Sequence, residues 1–284
     1  MRKIVETEDY KILDSGNFEK LESWNGIILR RPEPQAIWQK SKKDIWNNYF
    51  AYYKKDSKNK GEWHYKKTVP DNLYFRYRDL KFKVSPANSK HAGLFPEQVA
   101  NWDFLYELIR KNADREIKVL NLFAYTGAAS LVASRAGANE VVHVDASKNM
   151  VAWAKENMQL SNLADHKIRF LVDDCNKFIQ REIRRGNKYD IIIMDPPSYG
   201  HGPKGEVFRF ETEIANLVKE TSKLLSDKPL MFLVNSYTTG ISNLVIENLL
   251  LQNLKKGKIE SGPLALKSNN FLLPCGFYCR WLNA

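Results

Sequence analysis

The sequence has few cysteine residues and no long apolar run. Its 284 residues include three cysteines, an odd number that fits a reducing compartment better than a disulfide-stabilised scaffold. No apolar run approaches the roughly 20 residues needed to cross a bilayer, so we expect no membrane-spanning segment. Residues 1–6 lack the apolar core of a signal peptide and already contain an acidic residue. These absences predict a cytoplasmic protein.

The cysteine residues give no indication of a metal centre. Cys275 and Cys279 lie close together in the sequence, but no His or Cys elsewhere is spaced to complete a tetrahedral zinc site with them. We therefore interpret both as core or strand residues. The sequence predicts that the protein binds no metal.

The chain carries an excess of positive charge. Its 44 Lys and Arg residues outnumber 33 Asp and Glu, which gives a formal net charge of +11. Such an excess favours a polyanionic partner, because basic side chains neutralise phosphates and release counterions. Much of the excess is lysine scattered along the chain, which equally suits an ordinary solvated surface. Charge alone leaves these two interpretations open.

The N-terminal part differs in character from the rest of the chain. It is rich in aromatic residues and short apolar stretches, interrupted by residues such as Pro32 and Gly61. Runs at 73–77 and 80–84 are typical of strands. We predict a small β-rich domain over residues 1–86 and consider it a candidate for binding substrate or RNA. Aromatic residues interleaved with Lys and Arg at 63–67 and 74–78 either stack on single-stranded bases or alternate between core and solvent.

Residues 87–284 alternate strands with amphipathic helices, the pattern of a parallel sheet covered on both faces. We predict an α/β domain with an open, doubly wound, mostly parallel sheet that ends in an antiparallel strand. Predicted strands cover 117–123, 140–144, 168–172, 189–194, 230–234 and 271–282, and predicted helices cover 96–111, 127–136, 148–160, 176–185, 211–225 and 241–254.

Two of the predicted strand ends indicate a nucleoside cofactor. Ligands of such sheets bind beyond the carboxyl ends of the strands. After the first strand, Gly127 can make the turn, and the following helix N-terminus can meet the carboxylate of an amino-acid-like cofactor. Taken alone, this is also an ordinary strand-to-helix turn. Asp145 ends the second strand, where a carboxylate can accept bonds from ribose hydroxyls, but NAD-binding domains share that feature.

The next two strand ends narrow the choice of cofactor. Asp173 follows the third strand and is our choice for the adenine amino group, whereas Asp174 either shares that role or caps the next helix. The fourth strand ends in Asp-Pro-Pro-Ser-Tyr-Gly at 195–200. Two prolines stiffen the turn and leave carbonyl groups to accept from a substrate amino group, with Tyr199 nearby to stack on a base. A dehydrogenase has no use for this motif, and the glycine pattern of NAD-binding loops is absent.

With these residues, the chain resembles the class I S-adenosylmethionine-dependent methyltransferases, and more closely the bacterial family that methylates large-subunit ribosomal RNA. The resemblance covers about Lys90 to the end and implies a Rossmann-like fold, S-adenosylmethionine as cofactor and ribosomal RNA as partner. It also implies that segment 90–98 closes over the cofactor, although this segment could instead pack on its own helix. The implied cofactor-binding residues are Phe95, Gln98, Asn121, Phe123, Tyr125, Thr126, Gly127, Asp145 and Asp173, and the implied catalytic residues are Asp195, Pro196, Pro197 and Tyr199.

One departure from that family bears on mechanism. Members that make 5-methylcytosine carry a cysteine after the fifth strand, because carbon 5 becomes nucleophilic only when a thiolate adds to carbon 6. Here residues 232–237 read Phe-Leu-Val-Asn-Ser-Tyr, and none of the three cysteines is placed to substitute. We therefore expect transfer to a nitrogen, where catalysis is mostly alignment, and guanine is the first expectation by resemblance. The alternatives are a methyltransferase acting on a protein or small molecule, and a non-catalytic binding protein.

Overall fold

A computed structural model of the protein describes residues 7–55, 61–86, 90–268 and 271–283. The chain forms two compact units. The first unit comprises Met1–Ala100 with Leu264–Cys275, and the second comprises Asn101–Pro263 with Gly276–Ala284. Residues 1–6 and 87–89, which bear on the signal-peptide and boundary expectations, lie outside the described residues. The roles predicted for 1–86 and 87–284 stay predictions.

The first unit is built from short strands, as its sequence predicts. Its main sheet has the order β1-β2-β3-β4-β5, antiparallel except for the parallel pair of β3 and β4, and β6 and β7 form a separate antiparallel pair. Short 3-10 helices cover Lys43–Asn47 and Pro96–Gln98. The strands are β1 (Tyr10–Gly16), β2 (Glu19–Trp24), β3 (Ile27–Pro32), β4 (Ala51–Lys55), β5 (Gly61–Tyr65), β6 (Tyr74–Tyr77) and β7 (Leu80–Lys83).

The aromatic residues of β5 and β6 divide between core and surface. Phe75 and Tyr77 are buried in β6, and Trp63 is buried in β5, whereas Tyr65 remains 55% exposed. In β6, Phe75 and Tyr77 are buried on either side of exposed Arg76, which is the two-residue alternation of a strand with one face on a core. Trp63 and Tyr65 lie two residues apart in β5 and differ in burial, so β5 does not follow this alternation. The buried aromatic rings of segment 74–78 are therefore core residues, which agrees with the interpretation that this segment alternates between core and solvent.

The second unit is an α/β sheet with the predicted architecture. Its strand order is β10-β9-β8-β11-β14-β16, with β16 antiparallel to β14 and every other pair parallel. The remaining elements, in chain order, are α1 (Val99–Lys111), β8 (Lys118–Leu122), α2 (Ala128–Ala136), β9 (Glu140–Asp145), α3 (Lys148–Leu160), β10 (Ile168–Val172), α4 (Cys175–Arg185), β11 (Ile191–Met194), β12 (Tyr199–His201), β13 (Val207–Arg209), α5 (Phe210–Ser222), β14 (Met231–Ser236), α6 (Asn243–Asn253), β15 (Lys258–Ser268) and β16 (Phe271–Leu282). Part of β15 and part of β16 lie in Leu264–Cys275, which belongs to the first unit.

Local sequence signals explain where these elements begin and end. Apart from exposed Lys118 at the start of β8, the central strands are buried and mostly apolar, as is typical of parallel strands covered on both faces. Helices α2 and α4 end at Gly137 and Gly186, both left-handed, whose N–H groups bond to carbonyls of the last turn. Ser147 caps α3 through its side chain. None of the helices in the described ranges is long and apolar enough to cross a bilayer.

Several elements depart from the sequence predictions; strand β11, for example, begins at Ile191 rather than 189. Helix α5 ends at Ser222 rather than 225, and β15 and the hairpin of β12 with β13 were not predicted. The hairpin strands have three residues each, and the turn between them contains Pro203 and Gly205. Such a short segment has no detectable period, so its strands depend on contacts made elsewhere in the fold.

Candidate active site at the carboxyl ends of the strands

The loop after β8 turns through alternating left-handed residues. Phe123, Tyr125 and Gly127 have φ angles of 55°, 51° and 89°. A non-glycine residue in this region costs of order 1–3 kcal/mol, and such residues cluster at binding sites. The loop is therefore held in a strained conformation that its surroundings impose.

Position 127 has no room for a side chain, in addition to its left-handed backbone. A Cβ atom there would lie 2.9 Å from the Cβ of Ala154 and 3.1 Å from Cδ1 of Leu131. As the N-cap of α2, Gly127 offers no side chain to bond the first N–H groups of the helix. These groups and the helix dipole favour an anionic ligand at this end.

Two polar side chains brace this loop from within the core. The Asn157 amide donates to the carbonyl oxygen of Thr126 at 2.9 Å, and Thr126 itself is buried. The Asn121 amide donates to Ser130 at 2.9 Å, and the Ser130 hydroxyl lies 3.1 Å from Nδ1 of His143. Asn121 is also buried. These contacts show Asn121 and Thr126 as parts of the scaffold of the loop.

Asp145 ends β9 with its carboxylate against the same loop. One oxygen accepts from the Tyr125 backbone N–H and the other from the Ser147 backbone N–H, both at 2.8 Å. Burial raises the pKa of Asp145, and the two backbone bonds offset part of this effect. Each oxygen retains a lone pair, so the carboxylate can accept from neighbouring hydroxyl groups of a ligand.

The acidic residues after β10 have different surroundings. The Asp173 backbone N–H donates to the carbonyl oxygen of Asp145 at 3.0 Å, and its carboxylate pairs with Arg181. Asp174 is the N-cap of α4 and accepts from the Lys177 backbone N–H at 2.9 Å. The capping alternative for Asp174 therefore holds.

The Asp-Pro-Pro segment leaves β11 beside the loop after β8. Pro196 is buried, whereas Pro197 and Tyr199 are exposed. The Asp195 N–H bonds to the carbonyl oxygen of Leu122 at 3.4 Å. Ser198 continues the turn, and its hydroxyl lies 2.9 Å from that of Thr238. The turn is thus tied at both ends, with Tyr199 projecting beyond it.

The strand register brings these residues to one edge of the sheet. Leu122 lies opposite Val144 on one side and Met194 on the other, and Val172 lies opposite Asp145. The residues that follow each of these strands therefore meet at this edge. The structure brings together the loop 121–127, Asp145, Asp173 and the turn 195–199.

Phe95 and Gln98 lie in the first unit. Phe95 precedes the 3-10 helix Pro96–Gln98, and its ring lies 4.7 Å from that of His91. Gln98 is buried. Within the same unit, the Arg31 guanidinium donates to the carbonyl oxygen of Lys90 at 2.8 Å. The segment is anchored in its own unit, and its predicted cofactor role stays a prediction.

Sequence reasoning missed three residues that shape the site. Ser147 and Asn157 hold Asp145 and the loop, and the Phe208 ring of β13 lies 5.4 Å from that of Phe123. Ser147 could have been found as the capping residue before an amphipathic helix. Asn157 and Phe208 have no local signal, because their partners are distant in sequence.

No cysteine of the second unit is suited to act as a nucleophile. Cys175 and Cys279 are buried; burial raises the pKa of Cys175 strongly and that of Cys279 to about 12. At the end of β14, Oδ1 of Asn235 accepts from the Asn101 amide at 2.9 Å. Among the described residues, no group of three or more His, Cys, Asp or Glu side chains is arranged to hold a metal ion.

A family model described as S-adenosylmethionine-dependent methyltransferase matches residues 51–248. The match begins earlier than Lys90, where the sequence resemblance begins. A crystal structure of the SAM-dependent methyltransferase from Agrobacterium tumefaciens is 35% identical, with a TM-score of 0.92, and the alignment covers 100% of this chain and 94% of that one. A candidate methyltransferase from Streptococcus mutans is 19% identical, with a TM-score of 0.73. The alignment covers 96% of this chain and 75% of the Streptococcus mutans chain, and this likeness concerns the fold alone.

Two bacterial relatives carry the name ribosomal RNA large subunit methyltransferase K/L. The protein from Pseudoalteromonas translucida is 30% identical over 182 residues, which is 63% of this chain and 25% of the relative. The protein from Shewanella baltica is 32% identical over 190 residues, which is 66% of this chain and 25% of the relative. The match thus spans about a quarter of the length of these relatives.

Proposed function

We propose, from the premise that the chain belongs to the S-adenosylmethionine-dependent methyltransferase family, that it methylates a base of ribosomal RNA. The predicted enzyme class and cofactor are confirmed by the family match. The family match does not identify the acceptor, so ribosomal RNA as the acceptor is part of the proposal. Two observations support it: the name shared by the two bacterial relatives and the net charge of +11. The match covers about a quarter of the length of those relatives.

The residues at the strand ends fit S-adenosylmethionine. This cofactor supplies an electrophilic methyl group carried by a sulfonium. In our proposal the Asp145 carboxylate accepts from the ribose hydroxyls, while the uncapped start of α2 beside Gly127 binds the cofactor carboxylate. Asp173 is proposed for the adenine amino group, although its pairing with Arg181 competes for the same carboxylate. The proposed neighbours from the first unit are Phe95 and Gln98.

The turn 195–199 is proposed as the acceptor site. Pro196 and Pro197 have no N–H to donate, so the turn offers oxygen atoms that accept from the amino group of a base. Tyr199 is 55% exposed and can stack on the same base. With the acceptor held in plane, the protein contributes mainly by alignment with the methyl group.

We further propose a nitrogen acceptor, with guanine first. Methylation at carbon 5 of cytosine requires a thiolate that adds to carbon 6. The two cysteine residues of the second unit are buried thiols with raised pKa values, and β14 ends in Asn235 and Ser236. A nitrogen has its own lone pair and needs no covalent activation.

The test uses ribosomal RNA from a strain that lacks this protein. The RNA is incubated with the protein and labelled S-adenosylmethionine, and the modified nucleoside is identified by mass spectrometry. We expect a methylguanosine in large-subunit RNA, and its loss in the Asp195→Ala variant. A product of 5-methylcytosine would contradict the nitrogen acceptor. Absence of label in RNA, with label entering protein or small molecules, would contradict the RNA acceptor.

A further inference from the structure

The hairpin of β12 and β13 presents four side chains on one exposed face. Its register places Tyr199 opposite Arg209 and His201 opposite Val207. Alternate residues of a strand, and residues directly opposite each other, share a face of the sheet. Tyr199 and Val207 are 55% and 53% exposed, and the other two are also exposed. We call these four residues the hairpin face.

The reverse side of the hairpin packs on the candidate site. Gly200 lies opposite Phe208 in the register. Phe208 is buried against Phe123 of the loop after β8, with 5.4 Å between the ring centroids. A Cβ on Gly200 would lie 3.0 Å from Cγ of Pro197. The hairpin face is therefore the side of the hairpin opposite to Phe208, and it begins at Tyr199, the last residue of the turn 195–199.

The tip of the hairpin is anchored as well. The Gly202 N–H bonds to the carbonyl oxygen of Glu206 at 2.8 Å. The Glu206 carboxylate accepts from the Lys204 N–H at 2.9 Å and pairs with the Lys177 ammonium of α4. The bond from Lys177 lowers the pKa of Glu206 to about 2, so this anchor is ionised at neutral pH. A surface held at its base and its tip loses little conformational entropy when it binds a ligand.

Arg209 gives the hairpin face a positive charge. Its guanidinium lies 5.9 Å from the centroid of the Tyr199 ring, at the edge of cation–π range. In the described parts of the chain, no carboxylate pairs with it. An exposed guanidinium presents a planar fork of donors that matches the oxygens of a phosphate. The aromatic rings beside it suit an unpaired base.

We propose, on the basis of the proposed RNA acceptor, that the hairpin face binds the single strand next to the methylated base. Arg209 binds a backbone phosphate, and His201 with Val207 contacts the base of the adjacent nucleotide. Arg209 is thus a positioning residue. It fixes the strand so that the acceptor base reaches the turn 195–199.

The test compares Arg209→Gln with Arg184→Gln, which removes an equal charge from an exposed position on α4. The probe is an unmodified transcript of large-subunit ribosomal RNA. We expect Arg209→Gln to raise the KM for this RNA about tenfold with little change in kcat, and to reduce the slope of log affinity against log salt by about 0.7, the value for one single-strand phosphate. Affinity for S-adenosylhomocysteine, measured by calorimetry, should not change.

A conservative variant separates charge from structure. Arg209→Lys keeps the charge but not the fork, so it should restore the salt slope and part of the KM. If the wild-type protein methylates the RNA but Arg209→Gln and Arg184→Gln have equal KM values and equal salt slopes, this proposal is overturned and the RNA acceptor stays in place. A wild-type protein that neither binds nor methylates the RNA would overturn both.

Discussion

Gly127 stands where the loop after β8 meets α2, and its missing side chain has two separate consequences. The backbone at this position is left-handed, with φ of 89°, and the space for a Cβ is already filled by Ala154 and Leu131. Gly137, at the other end of α2, is also left-handed but has no atom within 4 Å of its would-be Cβ. The two glycines of one helix therefore separate conformational strain from crowding.

We predict that Gly127→Ala destabilises the protein more than Gly137→Ala. The left-handed conformation alone costs alanine about 1–2 kcal/mol, which both variants share, and crowding adds about 1–3 kcal/mol at position 127 only. Denaturant unfolding measures the difference in free energy of unfolding. Affinity for S-adenosylhomocysteine should fall in Gly127→Ala alone, and equal losses of stability in the two variants would contradict the crowding at Gly127.

Asp145 makes cofactor binding dependent on pH. Burial raises the pKa of Asp145. In the unbound protein, the free energy of unfolding therefore falls as pH rises through this pKa and the buried carboxyl ionises. Ribose hydroxyls donate to the ionised form. We predict that affinity for S-adenosylhomocysteine falls as pH is lowered through the raised pKa, by up to about tenfold per pH unit. Calorimetry at a series of pH values from neutral downward measures this, and Asp145→Asn should bind weakly with a flatter pH profile. A variant profile as steep as that of wild type would assign the effect to another group.

At the scale of elements, the caps of α3 and α4 differ in strength. Asp174 accepts from the Lys177 N–H at 2.9 Å, whereas Ser147 accepts from the Met150 N–H at 3.4 Å. A capping side chain contributes about 0.5–2 kcal/mol. We predict that Asp174→Ala lowers the free energy of unfolding by about 1 kcal/mol and more than Ser147→Ala does.

The same cap variant distinguishes the two neighbouring carboxylates. Because Asp174 is occupied as a cap, Asp174→Ala should leave affinity for S-adenosylhomocysteine near that of wild type, while Asp173→Ala should weaken it. Thermal unfolding and calorimetry on both variants check this pair of outcomes. Weaker cofactor binding in Asp174→Ala without loss of stability would exchange the roles of the two residues.

Elements bounded by strong local signals were predictable from the sequence. Strand β10 and helix α3 have the predicted bounds, 168–172 and 148–160, because a short apolar run marks the strand and a helical apolar period marks the helix. The two-residue turn at Asn25 and Gly26, with φ of 49° and 84°, also has a local signal, because Asn-Gly is typical of a two-residue hairpin turn. The hairpin of β12 and β13 had no such signal, since Phe208 is fixed by Phe123 far away in sequence.

The candidate site was predictable in its positions but not in its contacts. Strand ends place Asp145 and the turn 195–199 at one edge, which follows from the parallel order of the sheet. The bond from the buried Asn121 amide to Ser130 was not predictable, because a motif gives the position of a residue and not the direction of its side chain; the cofactor role of Asn121 stays a prediction. At the scale of the whole chain, the parallel pairing of Ile12 with Ser268 joins a C-terminal segment to the first unit. A pairing so distant in sequence has no local signal.

Part of the positive charge of the whole molecule comes from exposed lysines that lie beside aromatic rings. In the first unit, Lys66 and Lys67 are exposed beside aromatic rings, with ammonium-to-centroid distances of 4.1 Å to Tyr49 and 5.1 Å to Phe50. No ion pair ties either lysine to a carboxylate in the part of the chain that the structure describes. Lysines beside aromatic rings suit a single strand, through its phosphates and its bases.

We predict that the double variant Lys66→Gln with Lys67→Gln binds large-subunit ribosomal RNA more weakly than wild type. The matched control replaces Lys255 and Lys256, an exposed adjacent pair in the second unit, by Gln. Both double variants have the same net charge, so a general electrostatic effect would weaken them equally. If the first unit binds the RNA, its variant alone should reduce the slope of log affinity against log salt by about 0.7 for each phosphate that is no longer neutralised. Equal slopes in the two variants would mean that Lys66 and Lys67 contribute no more than any exposed lysine pair, and this would contradict RNA binding by the first unit at these residues.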